Sequence, residues 1–178
     1  FPPRRSSDLA APATDAAKVA LSLVPERKAI TPGGTLTVAL RQVIQKGWHT
    51  YWINPGDAGG PMEVTWQLPP GWKAGPIQWP YPKELPVPPL MTFGYDGEVV
   101  LLMDVTAPAD AKPGETVTLP ADLNYQVCSD VCELGEDHLD LALPVAAAPP
   151  PADAQTTALF ANARAAIPKP VDWPVRFA

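Results

Sequence analysis

The chain has 178 residues, enough for one domain with its own hydrophobic core and a short further segment. Its 25 prolines argue against an all-helical protein, because proline removes a backbone donor and breaks helix interiors. A net charge of −6 without any basic stripe excludes nucleic acid as a natural partner, and no apolar run approaches the ~20 residues of a membrane span.

Residues 1–17, rich in Ala, Pro, Ser and charge, are expected to be disordered, and they contain no apolar stretch of signal-peptide type. From Lys18 the pattern changes to short runs of period two. "KVALSLVP" places Val19, Leu21 and Leu23 on one side, and "TLTVALRQV" does the same with Leu36, Val38 and Leu40 after a "TPGG" turn. "WHTYWI", "EVTWQL", "VVLLMDV", "TVTLPADLNYQV" and "HLDLALPV" follow, most of them bounded by Gly, Pro, Asn or Asp. Alternation over short runs with turn residues between them is the signature of strands. Seven such runs, with no helix among them, predict two packed antiparallel sheets: an all-β, immunoglobulin-like sandwich over residues 18–146.

Within the first of the tryptophan-rich runs, Trp48 and Trp52 share a strand face and are expected to fill the core. A sugar-binding platform is the alternative, and it requires a row of exposed tryptophans. The "NPGDAGGP" that follows is a turn by composition, with Asp57 as a turn residue. From Pro69 to Pro89 eight prolines rule out central strands, so this stretch is expected to be a long ordered loop. A short strand near Ile77 interrupts it, and Trp72, Trp79 and Tyr81 pack over a sheet edge. In "LMTFGYDGEVVLL", Phe93 and Tyr95 flank Gly94. This segment is either a mobile aromatic cap able to cover a reactive group, or a hairpin with two buried aromatics.

Residues 147–178 begin with an Ala/Pro linker. "AQTTALFANARAAI" then reads as a helix with Asp153 as N-cap and Leu159, Phe160, Ala163 and Ile167 on one face, ended by Pro168. The last residues, "VDWPVRFA", are expected to be the truncated start of a further domain.

The chemistry resides in "LNYQVCSDVCELGEDH", which holds both cysteines. Along one straight strand residues four apart are separated by about 13 Å, whereas a disulfide needs Cα atoms about 4.4–6.8 Å apart. If Cys128 and Cys132 bond, the chain must bend between them. A strand-like run before and an alternating run after favour a hairpin with Ser129, Asp130 and Val131 as its loop, over a shared helical turn. A closed loop of about five residues contributes only about 2 kcal/mol through chain entropy, against about 3 for fifteen residues. The pair is therefore a poor staple but well placed for a reversible switch, since strained and exposed disulfides are the readily reduced ones. Asp130, Glu133, Glu136 and Asp137 surround it with no Lys or Arg between Cys128 and His138, so neither thiol is expected to have a strongly lowered pKa. Two other readings stand beside the switch: a plain structural disulfide of an exported protein, and a copper site formed by Cys128, Cys132 and His138. His49 reads as an ordinary strand residue. A zinc site lacks its four ligands, and no Ser-His-Asp set or phosphate loop is present.

Over residues 19–146 the chain resembles the amino-terminal periplasmic domain of the DsbD/ScsB membrane thiol–disulfide reductases. "GWHTYWINPGDAG", "WPYPKELPVPP", "FGYDGEVVLL" and, above all, "LNYQVCSDVCELGE" carry the resemblance. It implies an immunoglobulin-like sandwich with Cys128 and Cys132 as the catalytic redox pair, Cys132 as the cysteine that forms the mixed disulfide, and a cap at Phe93, Gly94 and Tyr95. It also implies no cofactor and no metal beyond the redox-active disulfide. The implied partners are a transmembrane domain of the same polypeptide, which draws electrons from cytoplasmic thioredoxin, and oxidised periplasmic proteins of thioredoxin-like or peroxiredoxin-like type. The implied location is the periplasm, tethered to the inner membrane. Three residues between the cysteines place the chain with the ScsB-like branch, because the DsbD branch spaces them more widely.

Overall fold

The computed structural model of the protein describes residues 18–169; the expectations for residues 1–17 and for the strand start after Pro170 fall outside them. Ten strands and one helix follow in chain order: β1 (Val19–Pro25), β2 (Thr35–Ile44), β3 (Thr50–Gly56), β4 (Glu63–Trp66), β5 (Lys73–Ala74), β6 (Lys83–Val87), β7 (Leu90–Tyr95), β8 (Glu98–Thr106), β9 (Thr116–Cys128), β10 (Cys132–Pro144) and α1 (Ala154–Ala165). They form three antiparallel sheets in the orders β1-β2-β8-β5, β10-β9-β4 and β3-β7-β6.

The alternation in the sequence becomes the two inner faces of the sandwich. Leu40, Leu101 and Met103 of one sheet meet Ala121, Leu123 and Val127 of the other in the main core. Leu36, Val38 and Val105 meet Leu119, Leu141 and Leu143 in a second cluster. Val99 to Met103 of β8 form a continuous apolar run because this part of the strand is covered on both faces. Leu101, Met103 and Val105 point into the sandwich, while Leu102 joins Ala39 beneath Phe160 and Ala163 of α1.

The helix follows the expectation closely. The Asp153 carboxylate accepts from the Thr156 backbone N–H at 2.9 Å, so the first turn is capped. Phe160 is fully buried, and Leu159 and Ile167 pack beside it. Arg164 donates from both terminal nitrogens to Glu26, the residue after β1, at 2.6 and 2.8 Å, and holds the Glu26 carboxyl below the usual carboxylate range. The helix is thus held by an apolar plug and a two-point ionic contact.

The proline-rich stretch departs from the expectation. Residues 83–87 form β6, which pairs with β7 as a hairpin, and Pro86 is accommodated because β6 is an edge strand. The expected strand near Ile77 reduces to β5 and a single bridge between Gln78 and Leu102. Trp72 is buried in the second cluster and Trp79 packs on the main core, but Tyr81 is exposed and covers no edge. Trp48 and Trp52 both pack against the main core. No tryptophan among the described residues is exposed, so the row that a sugar platform requires does not form.

Replacing Phe160 with Ala is expected to lower stability by about 3–5 kcal/mol, the usual range for a fully buried phenylalanine. Urea denaturation followed by tryptophan fluorescence measures it. A loss below about 1 kcal/mol, the range of surface substitutions, would show that α1 is not docked in solution.

Candidate redox site

The site is built by register. β9 and β10 pair in one uninterrupted antiparallel ladder that runs from Thr116 opposite Pro144 to Cys128 opposite Cys132. Ser129, Asp130 and Val131 close the tip, where the Ser129 N–H donates to the Val131 carbonyl at 2.9 Å. The two cysteines are therefore cross-strand partners, with Cα atoms 4.1 Å apart and sulfurs bonded at 2.06 Å. The bend favoured from the spacing is this hairpin.

The two sulfur-bearing residues differ in access. Cys128 is only 1% exposed, at the end of the core that contains Val127, whereas Cys132 lies exposed on the outer strand. Two apolar residues beside it face solvent, Val131 at 61% and Leu134 at 83% exposure.

A second strand closes the site from the other side. His49 and Cys128 exchange both backbone hydrogen bonds, at 2.9 and 3.0 Å, in a single bridge that attaches the β3-β7-β6 sheet to β9. The chain reaches this position through a tight turn in which the Trp48 N–H donates to the Gln45 carbonyl and Gly47 takes φ 86°, a conformation suited to glycine. Two residues on, the buried Tyr51 places its hydroxyl 4.0 Å from Cys132 Sγ and 3.2 Å from His49 Nε2. The tyrosine ring lies against Gly59, where an added Cβ would come within 2.2 Å of it. Burial lowers the His49 pKa, with the Asp96 charge opposing, and burial raises that of Tyr51. Near neutral pH the pair is therefore a neutral imidazole and a protonated phenol.

Phe93, Gly94 and Tyr95, expected as either a cap or a hairpin, belong to a strand rather than to a loop. All three lie within β7, and Gly94 is the register partner of Tyr51 on β3. Tyr95 is buried in the main core and donates its hydroxyl to the Pro80 carbonyl at 2.9 Å. Phe93 is half-buried beside Gly56. The segment is a strand because β3 and β6 flank it and satisfy its backbone, and Gly94 allows the close approach to the Thr50 carbonyl. The aromatic side chain that adjoins the sulfur is Tyr51 instead. From the sequence His49 reads as an ordinary strand residue, and Tyr51 is not marked out from the run that holds it. The signal was parity: assigning Trp48 and Trp52 to one face leaves His49 and Tyr51 together on the other.

His138 is not brought to the cysteines. It lies six residues beyond Cys132 on β10, about 20 Å along the strand, opposite Asp122. Its Nδ1 is 2.6 Å from Asp122 and its Nε2 is 3.5 Å from Asp140, so the alternative copper set of Cys128, Cys132 and His138 does not assemble. No cluster of three or more metal-ligating side chains with suitable placement occurs among the described residues.

A β-sandwich whose two cysteines are joined at the tip of a surface hairpin, one buried and one accessible, has the geometry suited to thiol–disulfide exchange. The family model "Thiol:disulfide interchange protein DsbD, N-terminal" matches residues 20–144, and the chain belongs to this family. Among solved structures it is similar to the N-terminal periplasmic domain of ScsB from Proteus mirabilis, with 26% identity and a TM-score of 0.67. The similarity covers 88% of this chain but only 57% of that one. No match to a curated protein was found.

Two outcomes follow from this geometry. After reduction, a limiting amount of alkylating reagent is expected to modify Cys132 before Cys128, as read by peptide mass mapping; equal labelling would contradict the difference in access. The Asp122 contact raises the His138 pKa, aided by Asp140. While Asp122 stays ionised, the contribution of this pair to stability is thus fully present below about pH 6.5 and is lost as the pH rises through the raised folded-state value. An NMR titration should find His138 above the ordinary histidine value, and Asp122→Asn should lower it toward that value.

Proposed function

We propose that this domain is a periplasmic electron relay, tethered to the inner membrane in the full-length protein. It would take reducing equivalents from a transmembrane domain of the same polypeptide and pass them to oxidised periplasmic partners of thioredoxin-like or peroxiredoxin-like type. The observation that carries the proposal is the difference in access between the paired cysteines: Cys132 exposed, Cys128 buried behind it. An exposed sulfur can meet an incoming disulfide, and its buried neighbour is positioned to resolve the product.

The exchange balances in two steps. In the reduced domain, the Cys132 thiolate attacks one sulfur of the partner disulfide, whose bond breaks as the mixed disulfide forms. The departing partner thiolate takes up a proton. Cys128 then loses its proton and attacks Cys132 Sγ, which expels the second partner thiolate and closes the Cys128–Cys132 bond. Two electrons and two protons pass to the partner, and no cofactor takes part. Exposed Val131 and Leu134 border the attacking sulfur and supply an apolar surface for docking. No helix among the described residues is long and apolar enough to cross a membrane.

Trapping tests the assignment. The Cys128→Ala protein, with Cys132 free, is incubated with periplasmic extract and its covalent adducts are identified by mass spectrometry. Adducts with thioredoxin-fold or peroxiredoxin proteins, reversed by dithiothreitol and missing in Cys132→Ala, are expected. If none are captured where the wild type is reoxidised, the role of Cys132 is wrong.

A further inference from the structure

We propose that Tyr51 and His49 form a proton relay to Cys132, with Tyr51 touching the reacting sulfur and His49 acting through it. This inference rests on the electron-relay reading above and deepens it, since it concerns how the attacking thiol loses its proton. Cys132 Sγ, the Tyr51 hydroxyl and His49 Nε2 form one chain with separations of 4.0 and 3.2 Å. The two rings meet edge-on at 5.2 Å between centroids, which fixes His49 against Tyr51.

The need for such a device comes from the local charge. Asp130 and Glu133 flank Cys132 in sequence, and carboxylates near a thiol oppose its ionisation. Lys18 reaches Glu133 at 3.7 Å and stacks its ammonium over Trp48, so it answers only part of that field. Asp96 is the charged group that acts on His49. Neutral His49 can accept a hydrogen bond from the Tyr51 hydroxyl, which leaves the phenol oxygen free to accept from the Cys132 thiol. When Cys132 ionises, its proton moves to the Tyr51 oxygen while the Tyr51 proton moves to His49 Nε2. The products are a Cys132 thiolate, a neutral Tyr51 whose O–H now donates to sulfur, and a His49 imidazolium. No bond other than those to hydrogen changes, and no net charge is created. The imidazolium can then return its proton, through the same hydroxyl, to the thiolate that departs from the partner.

The test is a pH–rate profile of iodoacetamide alkylation on the 178-residue protein carrying Cys128→Ser, so that Cys132 is the only thiol. Tyr51→Phe keeps the ring over Gly59 and removes the hydroxyl. It is expected to move the half-point of the profile up by about one pH unit and to slow alkylation at pH 7 by about tenfold. His49→Gln should produce a comparable shift, and the double variant should be no slower than Tyr51→Phe alone, because the two groups act as one chain. An unchanged profile in Tyr51→Phe overturns the proposal, and so does a double variant whose loss is the product of the two single losses. Far-ultraviolet circular dichroism of each variant reports the fold, and His49→Gln carries the test if Tyr51→Phe is destabilised. Because alkylation requires no partner protein, the profile remains readable if the trapping experiment captures nothing, and the two failures stay distinct.

Discussion

The structure depends on the ladder between β9 and β10. Because side chains alternate along a strand, a slip of one residue would turn Leu119, Leu123 and Val127 out of the core and separate the cysteines. The apolar periodicity that buries one face of β9 is therefore the same constraint that sets Cys128 opposite Cys132. Packing, rather than any local preference of the hairpin loop, delivers the two sulfurs to bonding distance. The long ladder also carries that order outward, from the sandwich interior to a tip where a visiting protein can reach it.

Around this ladder the other elements divide the work. The β1-β2-β8-β5 sheet closes the sandwich, and α1 seals its outer face with Phe160 and the Glu26–Arg164 contact. The β3-β7-β6 sheet has a different role. It meets β9 at the His49–Cys128 bridge and brings Tyr51 beside Cys132. The redox pair thus stands at a junction, with its buried member fixed by two strands and its exposed member held by one. A rigid inner sulfur beside an accessible outer one suits a reaction in which the outer sulfur changes partner.

Much of this architecture was legible in the sequence, because period-two alternation reports burial on one face and most of the strands have only one buried face. The hairpin was legible from distance alone, since residues four apart cannot bond across an extended chain. Asp153 and the apolar face of α1 were legible from capping and helical spacing. The failures have a common cause. Proline composition disqualified residues 83–87 as a central strand, but an edge strand needs only one of its sides paired, and β6 is such a strand. Phe93 to Tyr95 read equally as a mobile cap or as a hairpin because glycine suggests freedom, whereas Gly94 serves close packing against Thr50. The nearness of Tyr51 and His49 to the cysteines could not be read from the chain, because it depends on a bridge between residues 49 and 128 that no local pattern encodes.

Placing the cysteines at the end of the ladder has an evolutionary consequence. Ser129, Asp130 and Val131 belong to neither strand, so residues added between the sulfurs would lengthen only an external loop. The entropy of closing such a loop grows slowly, by roughly 0.6 kcal/mol per doubling of its length. Spacing between the thiols is therefore a parameter that descendants of this scaffold can vary while the sandwich beneath stays the same, which lets reactivity and choice of client diverge on an unaltered foundation.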